Sequence, residues 1–215
     1  LDAGSSIDDR ASETGDGRDR APVGARPCQH RAVIEIVFET HSTSVDNEDG
    51  VASGWADCAL SAAGRVQARA LGARRRRDGL AVVLCSDLRR ARETAELAFE
   101  GADLPILLDW RLRECDYGDR TQEPADRHAE DRHRFVDAPY PGGESWGQAV
   151  RRVRGVLADL PVRWDGRRVL LIGHVATRWA LDHYLGGVPL HELAARGFRW
   201  QEGWEYRLDA PTAPD

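Results

Sequence analysis

Short, uninterrupted apolar runs alternate along this chain with longer stretches in which apolar residues recur at helical spacing. The first run, Ala32-Val33-Ile34-Glu35-Ile36-Val37-Phe38, is β-branched and aromatic and predicts a strand over 32–38. Similar runs predict strands over 80–85, over 105–108 just after Pro105, and over 168–172, with a last one over 204–208 at a sheet edge. Between them Ala63, Val66, Ala70 and Leu71 approximate one face of a helix predicted over 62–77, and Ser61 is placed to accept a backbone N–H at its start. Further helices are expected over 88–99 with Asp87 as N-cap, over 145–159 and over 176–185. Gly186-Gly187 stops the last of these, and Pro189 follows. Alternating strands and helices predict an α/β fold, a three-layer α/β/α arrangement with a mostly parallel central sheet.

The polar stretches divide the chain. Residues 1–30 are rich in Asp, Arg, Gly, Ser and Ala and are expected to be a disordered tail, leaving one α/β domain over 31–210. Residues 116–143 are polar with few apolar positions and end near Pro139-Tyr140-Pro141-Gly142-Gly143, so they are expected to form a long loop or lid that sets the substrate. Arg74-Arg75-Arg76-Arg77 suits the negative end of the helix dipole and is expected to be solvated.

Composition narrows the function classes. A net charge of -6 argues against a general nucleic-acid binder. All 30 basic residues are arginine, which excludes lysine chemistry. Cys28, Cys58, Cys85 and Cys115 lie far apart without a C-x-x-C, so free thiols in a reducing cytoplasm are expected rather than a zinc knuckle or a disulfide framework. No stretch has transmembrane length, and the N-terminus lacks the apolar centre of a signal peptide. No G-x-G-x-x-G follows the first strand, and no P-loop is present.

The candidate chemistry sits where strands end. His41 follows the first strand and His174 follows Val169-Leu170-Leu171-Ile172-Gly173. Two other strand-like runs lead to Ser86-Asp87-Leu88-Arg89-Arg90-Ala91 and to Arg111-Leu112-Arg113-Glu114. In a parallel sheet all carboxyl ends open on one edge, where ligands bind. Two imidazoles, a guanidinium and a carboxyl group would therefore converge in a set suited to a phosphoryl group. Neutral His41 is the candidate nucleophile, Arg90 the best candidate donor to the phosphoryl oxygens with His174 another if it is protonated, and Glu114 the candidate acid for the leaving oxygen if burial or phosphate charge raises its pKa. No metal or cofactor is expected.

In order, Thr40-His41-Ser42, Asn47, Gly54-Trp55-Ala56-Asp57, Leu60 to Ala68, Ser86 to Ala95, Arg111 to Glu114 with Tyr117-Gly118, Gly142 to Ser145 with Arg152, and Gly173-His174 resemble the blocks of the histidine phosphatase superfamily, also called phosphoglycerate mutase-like. The resemblance spans about residues 32–208 and implies that fold, a phosphohistidine intermediate, and phosphate contacts from Arg90, Thr40, Ser42 and Asn47. The first block departs from the family's Arg-His-Gly-Glu-Thr. Thr40 stands for the Arg, Ser42 for the Gly and Thr43-Ser44 for the Glu-Thr. A charge-assisted grip is lost there, and Glu39 is expected to place a carboxylate against the anion. Arg89, Arg92 and Arg178 are the alternatives considered for the missing guanidinium, each more readily read as a surface helix residue. Of the other histidines, His128 and His133 are expected in a solvated loop, and Trp200, Trp204 and Tyr206 in core or edge packing.

The resulting expectation is a metal-independent phosphatase of a small phosphorylated metabolite, with no nucleic-acid or membrane partner and with a homodimer left open. A phosphoglycerate-type mutase is the alternative enzyme. A catalytically weak anion-binding module is the alternative of another class, resting on Thr40 and Glu39.

Overall fold

The computed structural model describes residues 33–209; the expected tail over 1–30, and Cys28 within it, lie outside them. The first helices and strands are β1 (Val33–Thr40), α1 (Val45–Glu48), α2 (Ala62–Arg75), β2 (Leu80–Cys85), α3 (Arg89–Ala98) and β3 (Ile106–Leu108). They are followed by α4 (Ala125–Asp131), α5 (Trp146–Trp164), β4 (Arg168–Gly173), α6 (Val175–Tyr184), α7 (Leu190–Arg196) and β5 (Trp204–Asp209). The strands form one five-stranded sheet in the order β3-β2-β4-β1-β5. All neighbours run parallel except β5, which closes one edge antiparallel to β1.

Strand side chains alternate between the sheet's two faces. Ile34, Ile36, Phe38, Val169 and Leu171 pack with α5 and α6 in one core cluster. Val37, Val83, Cys85, Leu170 and Ile172 pack with Leu71 of α2 and with Ala91, Ala95 and Ala98 of α3 in the other. Both faces are therefore covered, which is why β1 and β4 read as continuous apolar runs.

The departures from expectation are local. Residues 116–143 are not a loose lid: they hold α4 and two short helical turns. Tyr117, His128, Val136 and Tyr140 are buried there against Trp146, and Phe135 stacks on Tyr140 with ring centroids 3.9 Å apart. The aromatic residues are irregularly spaced, so no period announced this packing. His128 is accordingly buried, with its Nε2 2.9 Å from the carbonyl of Arg120; His133 is exposed as expected. Asp87 does not cap α3. It is drawn into an ion pair with Arg113, whose Nη2 lies 2.6 Å from Asp87 Oδ2. Ser61 does cap α2, accepting from Gly64 N at 3.0 Å. α5 runs on past Pro161 to Trp164. Trp200 is 64% exposed rather than packed.

Candidate active site

Register places the two key histidines. Thr40 of β1 lies opposite Gly173 of β4, so His41 and His174 leave the sheet side by side, with ring centroids 4.9 Å apart. Cys85 of β2 lies opposite Ile172, which brings Ser86 to His174, Oγ to Nε2 at 2.9 Å. A Cβ on Gly173 would sit 2.4 Å from Thr177 Oγ1. Glycine is what lets α6 begin this close to the strand end.

Arg90 rises from the first turn of α3 and is 2% exposed. Its Nη1 donates to Ala56 O at 3.0 Å and its Nη2 to Gly54 O at 2.8 Å. Its Nε donates to His41 Nε2 at 3.3 Å, and Nη2 also reaches His174 Nδ1 at 3.3 Å. These partners settle the imidazole tautomers, because a guanidinium only donates and a carbonyl only accepts. His41 carries its proton on Nδ1, donated to Ser42 O at 2.7 Å, and keeps a lone pair on Nε2. His174 keeps its lone pair on Nδ1 and donates from Nε2 to Ser86.

Electrostatics reinforce these forms. Burial, and then the charge of Arg90, push His41 down from 6.5 to about 3, against the opposing bond to Ser42. His174 is held well below the usual imidazole range by burial first, then by Arg90 and His41. His174 is therefore held toward its neutral form, and becomes a charged donor only where an anion favours its protonation. Burial raises the carboxyl pKa of Glu114, opposed by its bond from Cys115 N, by Arg90 and by bonds from Ala176 N and Val175 N. Glu114 is fixed from several sides. Arg152 donates to the carbonyls of Arg111, Arg113 and Glu114 at 2.8, 2.9 and 2.7 Å, and Trp55 Nε1 donates to Glu114 O at 2.6 Å.

One cavity of about 510 Å³ is lined by His41, Glu114 and His174 together with Thr40, Ser42 and Asn47. Asn47 Oδ1 is taken by Ser44 N at 3.0 Å, leaving its amide NH2 as the group it can offer. Ser42 N is spent on Thr94 Oγ1 at 3.0 Å, leaving the Ser42 hydroxyl. Glu39 lines this cavity as expected, but its carboxylate is screened by two arginines. Glu39 is 2% exposed, and Arg75 Nε donates to it at 2.8 Å and Arg74 Nη2 at 3.4 Å. The considered substitutes for the missing arginine lie elsewhere. Arg89 pairs with Glu93 and Arg92 with Glu96, while Arg178 pairs with Asp182 and Tyr206. Among the described residues no three His, Cys, Asp or Glu side chains cluster as a metal site.

Several residues in or beside the cavity were not site candidates from sequence. Ser86 and Thr94 hold His174 and the Ser42 backbone. Gln67, Arg74, Phe198, Trp200 and Glu202 also line the cavity. Only tertiary packing brings α2 and the segment before β5 to the end of β1.

Comparison with known proteins agrees with this geometry. The chain matches the histidine phosphatase superfamily (branch 1) over residues 36–201 and belongs to that family. A 2,3-bisphosphoglycerate-dependent phosphoglycerate mutase of Methylobacterium sp. (strain 4-46) is 33% identical over 192 residues, 82% of this chain and 92% of the relative. The mycobacterial glucosyl-3-phosphoglycerate phosphatase solved with VO3 is 29% identical, covering 75% of this chain and 86% of its own, with a TM-score of 0.66. Bacillus stearothermophilus YhfR is 26% identical, covering 79% and 88%, with a TM-score of 0.70.

Proposed function

We propose that this protein is a phosphomonoester hydrolase that carries the phosphoryl group on His41. The observation that carries the reading is the His41 tautomer: Nδ1–H is committed to Ser42 O, so the Nε2 lone pair, released when the phosphoryl oxygens draw Arg90 Nε from it, is the nucleophile. It sits in one cavity with Glu114 and His174. In the first step Nε2 bonds to phosphorus and the ester P–O bond breaks; Glu114, whose burial favours its protonated form, gives its proton to the leaving oxygen. In the second, water attacks phosphorus and gives a proton to the Glu114 carboxylate, and the P–N bond breaks to release phosphate. Arg90, His174, Thr40, Ser42 and Asn47 hold the phosphoryl oxygens. A dianion displacing Arg90 from His174 Nδ1 draws a proton onto that nitrogen, and Ser86 keeps the ring in place from Nε2.

The substrate is a small phosphorylated metabolite. Phosphatases and a phosphoglycerate mutase both stand among similar proteins, so transfer of the phosphoryl group between hydroxyls is the second reading. The free thiols of Cys58, Cys85 and Cys115 fit a reducing cytoplasm. No helix among the described residues is long and apolar enough to cross a membrane.

The test is phosphate release from a panel of phosphomonoesters, with chelator present, for wild type and His41→Ala. Wild type should release phosphate and accumulate an acid-labile, base-stable label on His41, and the variant should do neither. A shift of phosphate between hydroxyls of phosphoglycerate selects the mutase. Neither activity, with no binding of vanadate, ends both enzymatic readings.

A further inference from the structure

Among the described residues, Arg74 is the one arginine lining the cavity, and its ion pairs are long. Its neighbour Arg75 makes close bonds, Nε to Glu39 at 2.8 Å and Nη1 to Asp78 at 3.0 Å. Arg74 reaches Glu39 only at 3.4 Å and the exposed Glu202 only at 3.5 Å. Its Nε is buried without an acceptor among the described residues. A buried donor left unmet is costly, and this one belongs to a side chain lining the cavity that holds His41. Arg90, by contrast, is anchored by two backbone carbonyls and both imidazoles, so little of its donor capacity is loose.

Position adds to this. Glu39 and His41 are two residues apart at the end of β1 and both line the cavity, a separation of roughly 7 Å along an extended chain. A guanidinium touching Glu39 is therefore within a side-chain swing of an anion on His41. Thr40, between them, brings no charge of its own.

We propose that Arg74, from the last turn of α2, is a phosphate-binding residue of this site: on substrate entry it leaves Glu202 and its loose contact with Glu39, and donates to the oxygens of the phosphoryl group at His41. Arg75 keeps Glu39 neutralised when Arg74 moves. The inference rests on the phosphatase reading of the same cavity. It makes the guanidinium of α2 the partner of Arg90, with the strand end supplying only neutral donors.

The experiment is binding of orthovanadate and inorganic phosphate, read by competitive inhibition and by direct titration. It uses wild type, Arg74→Ala, Arg74→Ala with Glu39→Gln, and Arg74→Ala with Thr40→Arg. Arg74→Ala should weaken both anions roughly ten- to a hundredfold, the span expected for a hydrogen bond to a charged group. Glu39→Gln should not restore the loss, and Thr40→Arg should restore most of it by returning a guanidinium to the anion. Unchanged affinity in Arg74→Ala overturns the proposal. So does recovery with Glu39→Gln, which would reduce Arg74 to a counter-charge for Glu39. So does a folded Arg74→Ala, Thr40→Arg variant that recovers nothing. If wild type binds neither anion and hydrolyses nothing, the phosphatase reading fails and this inference falls with it. If wild type binds and hydrolyses but Arg74→Ala matches it, only this inference fails.

Discussion

Glu114 is the side chain whose role separates most sharply from its neighbours'. A general acid matters most when the leaving group is a poor one. Glu114→Gln keeps the shape and most of the bonds from Cys115, Val175 and Ala176 but has no proton to give. It should lower kcat by roughly 10²–10⁴-fold on alkyl phosphates and far less on aryl phosphates with acidic leaving groups. Equal losses on both would reassign Glu114 to structure. The sign of the pH dependence follows from its raised pKa: activity should fall as pH rises through that pKa, and this basic limb should vanish in the variant. His174 gives a second check. Burial and Arg90 disfavour its charge, so phosphate binding that draws a proton onto it should be accompanied by proton uptake. Calorimetry in buffers of different ionisation enthalpy reads that uptake directly. It should disappear in His174→Asn, and uptake that persists there would place the proton elsewhere.

At the scale of elements, the strands were legible and some helices were not. β1, β2 and β4 are apolar because both faces of the sheet are covered, and their ends pointed to His41, Arg90 and His174. α4 and the aromatic packing of 116–143 left no period to read, since Tyr117, His128 and Tyr140 are gathered by tertiary contacts. Arg74 was hidden for a related reason. Four successive arginines read as one solvated run, and only the seating of α2 against β1 and the segment before β5 separates their fates. That seating rests on close approach. A Cβ on Gly64 would lie 1.9 Å from Thr43 O, and one on Gly72 1.9 Å from Ala98 O. Both Gly64→Ala and Gly72→Ala should destabilise by about 1–3 kcal/mol, the usual cost of overpacking. Gly64→Ala presses on the loop that follows His41, so it should also reduce kcat of the folded enzyme. Gly72→Ala presses on the end of α3, far along the helix from Arg90, and should leave kcat near wild type. Urea denaturation beside active-site-titrated kinetics separates the two. Equal kcat losses would show that α2 moves as one rigid rod.

For the whole molecule, holding two imidazoles neutral against Arg90 has a cost that appears on acidification. In the unfolded chain His41 and His174 titrate near 6.5, whereas in the fold His41 titrates at about 3 and His174 well below its usual range. Between these values the unfolded state binds protons that the folded state refuses, so stability falls as pH drops below about 6.5. Each histidine adds a slope of at most roughly 1.4 kcal/mol per pH unit. Glu114 acts in the opposite sense. Its pKa is raised in the fold, so its contribution is present at low pH and is lost as pH rises through the folded value. The two effects together predict that acid sensitivity belongs to the active site and not to the surface ion pairs, which are worth little individually. Urea midpoints between pH 4 and 7.5 should therefore show a smaller loss on acidification in His41→Asn than in wild type, and the flattening should lie below pH 6.5. Saturating vanadate should protect wild type on the acid side, because the anion favours the protonated His174 that burial and Arg90 otherwise disfavour. If His41→Asn loses stability with acid as steeply as wild type, the imidazole is not the group that the fold keeps uncharged, and the electrostatic account of the nucleophile fails with it.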